Sequence, residues 1–475
     1  MKIKEIKKIH CIGIGGIGVS ALARFFYSKG VTVSGSDIIM SDEITVLSRC
    51  GIRAFAFHSK NHFTDNIDVV IYSSAVLNNN EEIIEARKRK IPLFSYPEML
   101  GYITKEYKSI AVSGTNGKTT TTALLGKFLE AGDKDPTVIL GGRVPGWDNN
   151  LRIGKSKLFI VEGCEYKRNM LNLSPRVILL TNIEVDHLDY YKDLVDIKNA
   201  FEEYVSKLKK EDLLVYNIDD MNCREVVSNS SSSARTITFG LSDNAAIYAK
   251  KITHNKGEQS FELWSFGNKI GLFTTKIPGL FNVYNILGAL AVAHSEGVEY
   301  NAIQRALNNF TGIWRRFENV GKYYGATIIS DYAHHPTAVA GTLRAAREFF
   351  PKKKILAVFQ PHHQNRTINL FDDFVKAFVG ADEIIIAEIY NVRGREDENE
   401  TISSQKLVDA IKKSGYGGKV CFVKNISKAE IEIRKKLDDN LNDNLVALIM
   451  GAGNIDTVAR NLVKSRIQGK SLDSL

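Results

Sequence analysis

The 475-residue chain has few cysteines and no long apolar run, the features on which secreted and membrane proteins depend. It has five cysteines, an odd number, and no CxxC pair. This pattern predicts free thiols in a reducing compartment and argues against a disulfide framework or a cysteine zinc site. No apolar run reaches the ~18 residues that span a bilayer, and glycines interrupt the partly apolar stretch near the start. We therefore expect a cytoplasmic globular protein without a membrane partner.

The chain also has no basic arm with interleaved aromatic residues, the feature that tracks a nucleic-acid backbone. Lysine and arginine number 63 and acidic residues 54, so the net charge is +9. This excess is spread along the chain and suits small anionic substrates better than a nucleic acid. A mildly basic solvated surface accounts for it equally well.

Short apolar runs alternate with amphipathic helical segments, which predicts an α/β protein with parallel sheets. The predicted strands include Lys8–Ile12, Val69–Tyr72, Val177–Leu180, Glu383–Ala387 and Leu445–Met450. The length corresponds to about three domains, and we place them at residues 1–106, 107–320 and 321–475. The first and third have a Rossmann-like pattern, and the central one resembles a P-loop ATPase domain. Residues 236–275 alternate between polar and apolar side chains, which predicts a small antiparallel patch.

A GxGxxG motif follows the first predicted strand and opens the first helix. Gly13 allows the tight turn, Gly15 lets a diphosphate approach the backbone, and Gly18 lets helix and strand pack closely. Asp37 lies where an acid can hold a ribose hydroxyl. The motif indicates a nucleotide without identifying it, and a purely structural glycine turn is the alternative. The loop residues are Gly13, Ile14, Gly15, Gly16, Ile17 and Gly18.

A second glycine loop follows the strand near residue 110 and resembles a P-loop, although Val112 replaces its first glycine. Gly114 and Gly117 free the backbone to surround phosphates, Lys118 reaches them, and a threonine hydroxyl can ligate Mg²⁺. This loop predicts an ATP or GTP site made by Gly114, Thr115, Asn116, Gly117, Lys118, Thr119 and Thr120.

Two acidic clusters follow strands of the same predicted sheet. Glu162 and Glu165 follow one strand, and the segment Thr181–Asp189, which contains His187, follows the next. Carboxylates and a histidine directed at a phosphate loop are suitable ligands for nucleotide-bound Mg²⁺. We expect metal ligation by Glu162 and His187, with solvated or helix-capping acids as the alternative.

Arginines and histidines concentrate near the predicted strands of the third domain. Asp331 and Gln360 are expected to end adjacent strands and so to share one edge of the sheet. Arginine forks suit carboxylates and phosphates. The adjacent histidines His334 and His335 do not favour a zinc site, because neighbouring side chains in an extended segment face opposite ways. Structural histidines below a helix that begins at Pro336 are the alternative.

Three such sites favour an ATP-dependent ligase acting on a nucleotide-linked substrate. A nicotinamide-dependent dehydrogenase has no need of the phosphate loop, and a P-loop switch protein has no need of a second nucleotide fold. An oxidoreductase with an incidental phosphate loop is the alternative from a different class.

These residues resemble the Mur ligase family of peptidoglycan synthesis over essentially the whole chain. The segments that are similar to family signatures are Gly114–Thr120, Thr181–Asp189 and Pro278–Asn285. Further segments are similar to the member that adds L-alanine: Ile12–Gly18, Ser34–Asp37, Arg315–Phe317, Asp331–Pro336, Phe359–His362 and Met450–Ile455. A sister ligase that adds a peptide is the alternative, and the Gln360-Pro361-His362 loop argues against it.

The resemblance implies that ATP phosphorylates the lactyl carboxylate of UDP-N-acetylmuramate and that the amine of L-alanine then attacks the acyl phosphate. It implies catalytic roles for Lys118, His187, Arg316 and His334. It implies Mg²⁺ ligands at Thr119, Glu162 and His187, and adenine and ribose contacts at Asn282, Asn285 and Asp331. The UDP substrate would contact Gly13, Gly15, Gly16, Ile17, Gly18 and Asp37. The alanine pocket would be formed by Tyr332, His334, His363 and Arg366.

Four positions depart from the family pattern. Cys164 replaces an acid between the two glutamates, Phe281 replaces a histidine beside adenine, and His363 replaces an arginine. Phe201 stands where some relatives carbamylate a lysine, so no carbamate bridge is expected. We also expect a monomer or weak homodimer, with hinges near residues 106 and 320 that bring the substrates together.

Overall fold

The computed structural model describes residues 2–39, 41–63, 66–255, 257–391, 402–438 and 444–469, with side chains of the last helix described to residue 464. The fold is mixed α/β, as predicted. Backbone contacts divide the chain into two compact units. The first unit comprises Met1–Glu184, Val195–Ile247 and Ile286–Ala306, and the second comprises Val185–Leu194, Tyr248–Asn285 and Leu307–Leu475.

The first sheet is parallel, in the order β3-β2-β1-β4-β5. Its elements are β1 (Lys8–Ile12), α1 (Ile17–Ser28), β2 (Thr32–Ser36), α2 (Asp42–Arg49), β3 (Arg53–Phe55), β4 (Val69–Tyr72), α3 (Glu81–Lys88), β5 (Leu93–Ser95) and α4 (Tyr96–Thr104). A short 3₁₀ helix, Lys60–His62, precedes β4. The strand order reverses direction at β1, and a crevice at such a point is where this class of sheet binds nucleotides.

The phosphate-loop sheet has the parallel order β12-β11-β10-β6-β9-β7, with β8 antiparallel beside β7. Its elements are β6 (Lys108–Ser113), α5 (Lys118–Ala131), β7 (Thr137–Ile139), β8 (Leu151–Arg152), β9 (Leu158–Gly163), β10 (Val177–Leu180), α6 (Leu194–Val205), β11 (Leu213–Asn217), α7 (Met221–Asn229) and β12 (Arg235–Gly240). The two strands that precede the acidic clusters, β9 and β10, belong to the same sheet, as predicted, and they lie on either side of β6.

The antiparallel patch expected over residues 236–275 is partly wrong. β12 lies parallel to β11, whereas the later strands include the antiparallel hairpin β14–β15. Alternating polar and apolar residues indicate a strand with one solvated face, but they do not indicate whether the neighbouring strand is parallel or antiparallel. The following elements are β13 (Ile247–Asn255), β14 (Glu258–Ser265), β15 (Asn268–Thr275), α8 (Leu280–Ser295) and α9 (Tyr300–Asn309).

The second unit contains a six-stranded sheet in the order β16-β17-β21-β18-β19-β20, with β16 antiparallel to its neighbour. Its elements are β16 (Glu318–Tyr323), β17 (Ala326–Asp331), α10 (Pro336–Phe349), β18 (Lys354–Phe359), α11 (Gln364–Asn369), α12 (Phe371–Lys376), β19 (Glu383–Ala387), α13 (Ser404–Lys413), β20 (Lys419–Val423), α14 (Ile426–Asp438), β21 (Leu445–Met450) and α15 (Asp456–Gly469). Helices α10, α12 and α13 cover one face, and α14 and α15 cover the other.

The strands that precede Asp331 and Gln360 are not adjacent, contrary to the expectation. The entirely apolar β21 lies between them and is buried at every residue. The two loops nevertheless share one edge, because Gly451 donates to the Asp331 carbonyl over 3.1 Å and Gln360 donates to the Met450 carbonyl over 3.0 Å. An entirely apolar strand buries most of its surface when both faces of the sheet are covered, as they are in the middle of the sheet.

None of the helices in the described part of the chain combines the length and the apolar character needed to cross a bilayer.

Candidate active site

The first glycine loop turns sharply from β1 into α1. Gly13 has φ +76°, and its amide donates to the Ser36 carbonyl over 2.8 Å. A Cβ on Gly13 would lie 2.8 Å from the Ser73 Cβ, so this position requires glycine. The Gly15 amide donates to the Asp37 carboxylate over 2.9 Å. The loop thus brings Asp37 to the sheet edge at which α1 begins, a suitable place for a nucleotide diphosphate.

The later residues of this loop begin the helix. Gly16 is the N-cap of α1, and Ile17 is its first residue. A Cβ on Gly18 would lie 2.8 Å from the Tyr96 ring. The close approach at Gly18 is therefore to the first residue of α4, whereas the sequence predicted contact with a strand.

The second glycine loop is held by Asn182, the second residue after β10. The amides of Thr115 and Asn116 donate to the Asn182 backbone and side-chain oxygens over 2.8 and 2.9 Å. Gly114 has φ +129°, and a Cβ there would lie 2.8 Å from the Asn182 carbonyl oxygen. Gly117, with φ +85°, caps α5. The first-turn amides of α5 consequently face the end of the loop, where helices bind phosphate.

Lys118 is paired within this loop. Its Nζ lies 2.8 Å from the Glu165 carboxylate and donates to the carbonyls of Gly114 and Thr115 over 2.5 and 3.0 Å. Burial acts to lower the pKa of Lys118, but the adjacent carboxylate outweighs it and raises the pKa above its ordinary value. The ammonium is therefore firmly charged and positioned at the phosphate loop.

Thr119 and Glu162 form an oxygen-rich pair beside Lys118. The Thr119 hydroxyl donates to the Glu162 carboxylate over 3.2 Å, and the Gly141 amide donates to the other Glu162 oxygen over 2.7 Å. Thr119 and Thr120 are buried in the first turn of α5. Hydroxyl and carboxylate oxygens are the donors that Mg²⁺ prefers.

In the second unit, Arg366 is bound by an aspartate. Its Nη2 and Nε lie 2.8 and 3.2 Å from Asp186 Oδ1. Burial acts to raise the pKa of Asp186, but Arg366, His187 and His334 outweigh it and hold the pKa far below its usual range. No local pattern predicts this pair, because Asp186 and Arg366 are 180 residues apart in the chain.

Several predicted histidines gather around this ion pair. His187 has φ +55°, and its Nε2 lies 3.8 Å from Asp186. His334 donates from Nδ1 to the Tyr332 carbonyl over 3.0 Å, which leaves Nε2 as the acceptor of the neutral ring. Burial and the Arg366 charge lower the pKa of His334 well below its ordinary value.

Two further histidines have backbone roles. His335 donates from Nε2 to the Val185 carbonyl over 3.1 Å, and its Nδ1 accepts from the Thr337 amide at the start of α10. His335 therefore has the structural role that the sequence offered as an alternative, because it caps the helix that begins at Pro336. His363, with φ +68°, is the N-cap of α11.

Arg315 and Arg316 stack on one aromatic ring. Their guanidinium carbons lie 4.9 and 4.6 Å from the Tyr332 ring centroid. Arg315 is buried and donates to the Gly453 carbonyl over 2.9 Å. Arg315 therefore ties this loop to the turn after β21.

Asp331 has both carboxylate oxygens engaged by amides. They accept from Phe317 over 2.6 Å and from Ala333 over 2.7 Å, and burial raises the pKa of Asp331. The predicted adenine contacts are also buried and linked, since Asn285 Nδ2 donates to Asn282 Oδ1 over 3.0 Å.

Most of the predicted site residues belong to two groups, one in each unit. The first glycine loop, Gly13–Gly18, forms a separate predicted nucleotide site. Lys118, Thr119 and Glu162 lie together beside Glu165. His187, His334 and Arg366 lie together around Asp186. Glu165 and Asp186 are the two residues whose roles sequence reasoning missed. The only clue to them in the sequence is their position inside the acidic segments. That position does not indicate which lysine or arginine each carboxylate pairs with.

Models of known protein families match three segments of the chain. Residues 8–108 match the model described as Mur ligase family, catalytic domain. Residues 112–293 match the Mur ligase middle domain, and residues 315–453 match the Mur ligase, glutamate ligase domain.

Individual relatives cover nearly the whole chain. The chain is 40% identical to a UDP-N-acetylmuramate–L-alanine ligase of Clostridium acetobutylicum over 94% of this chain and 96% of that protein. It is 39% identical to the enzyme of the same name from Alkaliphilus metalliredigens, over 97% and 98% of the two chains. The crystal structure of UDP-N-acetylmuramate-alanine ligase MurC from Thermotoga maritima superposes with a TM-score of 0.81, with 30% identity over 98% and 99% of the chains.

Proposed function

The chain belongs to the Mur ligase family, and we propose that it joins L-alanine to the lactyl carboxylate of UDP-N-acetylmuramate at the expense of ATP. The observation that carries the proposal is the Lys118–Glu165 pair beside Thr119 and Glu162 in the phosphate loop. The product would be a precursor of peptidoglycan. The relatives named above are ligases, which favours this reaction over the oxidoreductase alternative.

Gly114–Thr120 would hold the phosphates of ATP, and Asn282, Asn285 and Asp331 would hold its adenosine. The hydroxyl of Thr119 and the carboxylate of Glu162, 3.2 Å apart, fit a hard divalent cation. Mg²⁺ held by Thr119 and Glu162 would supply neutralisation of phosphate charge, and His187 would hold a second Mg²⁺ that orients the substrate carboxylate.

Phosphoryl transfer would begin with attack of the lactyl carboxylate oxygen on the γ-phosphorus of ATP, which forms an acyl phosphate and releases ADP. Lys118 is already charged and fixed, so it would stabilise the migrating phosphoryl group without reorganisation. Arg316 would assist at the same group. No protein nucleophile is required.

The second step would be attack of the alanine amine on the acyl carbon, with phosphate as the leaving group. Neutral His334 would accept the amine proton at Nε2, since its Nδ1 is committed to the Tyr332 carbonyl. Arg366 would bind the alanine carboxylate while Asp186 holds the guanidinium in place. Tyr332 and His363 would complete the pocket.

The UDP group would bind at Gly13, Gly15, Gly16, Ile17, Gly18 and Asp37. We assign this role to residues 1–106, ATP binding to 107–320 and amino-acid binding to 321–475. The enzyme would act in the cytoplasm as a monomer or weak homodimer, which sedimentation of the purified chain tests.

The deciding experiment measures phosphate release from ATP and Mg²⁺ in the presence of UDP-N-acetylmuramate, with and without L-alanine. Release that requires both co-substrates supports the proposal. If alanine fails and the tripeptide L-Ala-γ-D-Glu-diaminopimelate works, the chain is instead the sister ligase that adds a peptide. Failure with every acceptor would contradict both.

A further inference from the structure

A buried cluster of histidines surrounds one glutamate in the first sheet region, away from the phosphate loop. Glu82 lies in the first turn of α3, His10 in the middle of β1 and His62 at the end of the short helix Lys60–His62. Glu82 and His10 are 0% exposed, and His62 is 8% exposed. We call these three residues the His–Glu cluster.

The ligating atoms of the His–Glu cluster converge. Nδ1 of His62 lies 2.8 Å from Glu82 Oε1, and Nε2 of His10 lies 3.4 Å from the same oxygen. One ligand atom from each of the three residues lies within 4.8 Å of the others. His58 approaches the other carboxylate oxygen, with its Nδ1 3.2 Å from Glu82 Oε2. The cluster thus offers three donors and a potential fourth.

The charge of the cluster is unbalanced. Among the described residues, no lysine or arginine pairs with Glu82; its charged or chargeable partners are His10, His58 and His62. A buried carboxylate without a compensating cation is strongly disfavoured. The position therefore calls for a positive charge in the form of a proton or a metal ion.

The orientation of His10 favours a metal ion. Its Nδ1 lies 3.0 Å from the Ser34 hydroxyl, while its buried Nε2 is directed at the carboxylate without a hydrogen-bond partner. With a proton on Nδ1, the Nε2 lone pair faces Glu82 Oε1, an arrangement that a cation between the two atoms would make favourable. Such a cation would lie in the interior, beyond the reach of solvent.

The surroundings hold the donors in place. The His62 ring stacks on Phe55 with centroids 3.8 Å apart and planes 7° apart. The Ser36 hydroxyl and the Ser59 amide both donate to the Glu82 carboxylate. Outer contacts of this kind orient the ligands of metal sites.

We propose that the His–Glu cluster binds a divalent transition-metal ion such as Zn²⁺, through His10 Nε2, His62 Nδ1 and the Glu82 carboxylate. Two imidazoles and one carboxylate are a donor set typical of zinc, whereas Mg²⁺ prefers oxygen ligands alone. The ion would tie β1, α3 and the Lys60–His62 segment together, next to the loop that carries Asp37.

The test uses the full chain after chelator treatment, titrated with CoCl₂ at saturating Mg²⁺. We expect one Co²⁺ per chain with the visible absorption of a nitrogen- and oxygen-ligated ion. His62→Asn should weaken this binding by at least about tenfold. His254→Asn, which removes a histidine of β13 outside the cluster, should leave it unchanged. Zn²⁺ should raise the melting temperature of the wild type but not that of His62→Asn.

Equal Co²⁺ binding by the wild type and His62→Asn would overturn the proposal, as would a wild type that binds no Co²⁺. Either result would mean that a proton balances Glu82. A crystal of the wild type soaked in ZnCl₂ gives an answer even if the variant fails to fold. An anomalous peak between His10 and Glu82 is expected, and its absence from a crystal that contains zinc elsewhere would refute the site.

Discussion

Lys118 and the buried Glu165 form an ion pair, and the effects of Lys118 on catalysis and on folding stability can be measured separately. Replacing Lys118 with Met should lower the rate of phosphate release by at least about a hundredfold, because the ammonium that the phosphate loop directs at the migrating phosphoryl group is lost. The same change removes the ammonium that pairs with the buried Glu165 carboxylate, which costs about 3–5 kcal/mol of folding stability. A phosphate-release assay measures the loss of activity, and urea unfolding measures the loss of folding stability.

The double variant Lys118→Met/Glu165→Gln separates them. Stability should return toward that of the wild type, because the buried negative charge is removed together with the ammonium, while activity should remain lost. Recovery of activity in the double variant would show that Lys118 acts only by pairing with Glu165.

His334 makes folding stability depend on pH. Its pKa is lowered in the fold by burial and by Arg366, so only the unfolded chain takes up this proton as the pH falls below about 6.5. The contribution of His334 to stability is therefore present above that pH and decreases below it.

Replacing His334 with Asn should flatten the pH dependence of the free energy of unfolding between neutral and mildly acidic pH. The slope should decrease by up to about 1.4 kcal/mol per pH unit. Urea unfolding at a series of pH values measures it, and His254→Asn is the matched control. An unchanged slope in His334→Asn would contradict the neutral state assigned to this ring.

At the scale of elements, the contact between α1 and α4 depends on a missing side chain. A Cβ on Gly18 would meet the Tyr96 ring at 2.8 Å, so Gly18→Ala should cost about 1–3 kcal/mol by overpacking. Displacement of α1 should also raise the KM for the UDP substrate. Urea unfolding and steady-state kinetics measure these effects.

A double-mutant cycle with Tyr96→Leu identifies the cause. Because the smaller side chain leaves room for the new methyl group, the double variant should lose less stability than the sum of the single variants. Simple additivity would place the cost of Gly18→Ala elsewhere.

At the scale of the whole molecule, the residues proposed for one ATP molecule come from both compact units. Gly114–Thr120 belongs to the first unit, whereas Asn282, Asn285 and Asp331 belong to the second. We expect the bound substrates to favour the movement predicted at hinges near residues 106 and 320.

Small-angle scattering should therefore show a smaller radius of gyration when a non-hydrolysable ATP analogue and UDP-N-acetylmuramate are both bound. Either ligand alone should give a smaller change. Identical scattering curves with and without both ligands would count against this hinge movement.

Local patterns in the sequence were sufficient to locate many elements and both glycine loops. The predicted strands Lys8–Ile12, Val69–Tyr72, Val177–Leu180, Glu383–Ala387 and Leu445–Met450 have those bounds in the structure. Continuous apolar runs that end at polar or glycine residues depend on local composition and need no information about partners. The family could be identified for the same reason, since its signatures are contiguous segments.

Only the tertiary structure decided which distant residues meet. The placement of β21 between β17 and β18, the parallel direction of β12, and the Asp186–Arg366 and Lys118–Glu165 pairs all join separate parts of the chain. The His–Glu cluster likewise draws its members from one strand and two helices. Strand order and buried charge pairing result from the packing of whole elements, and no local pattern records which partner each one meets.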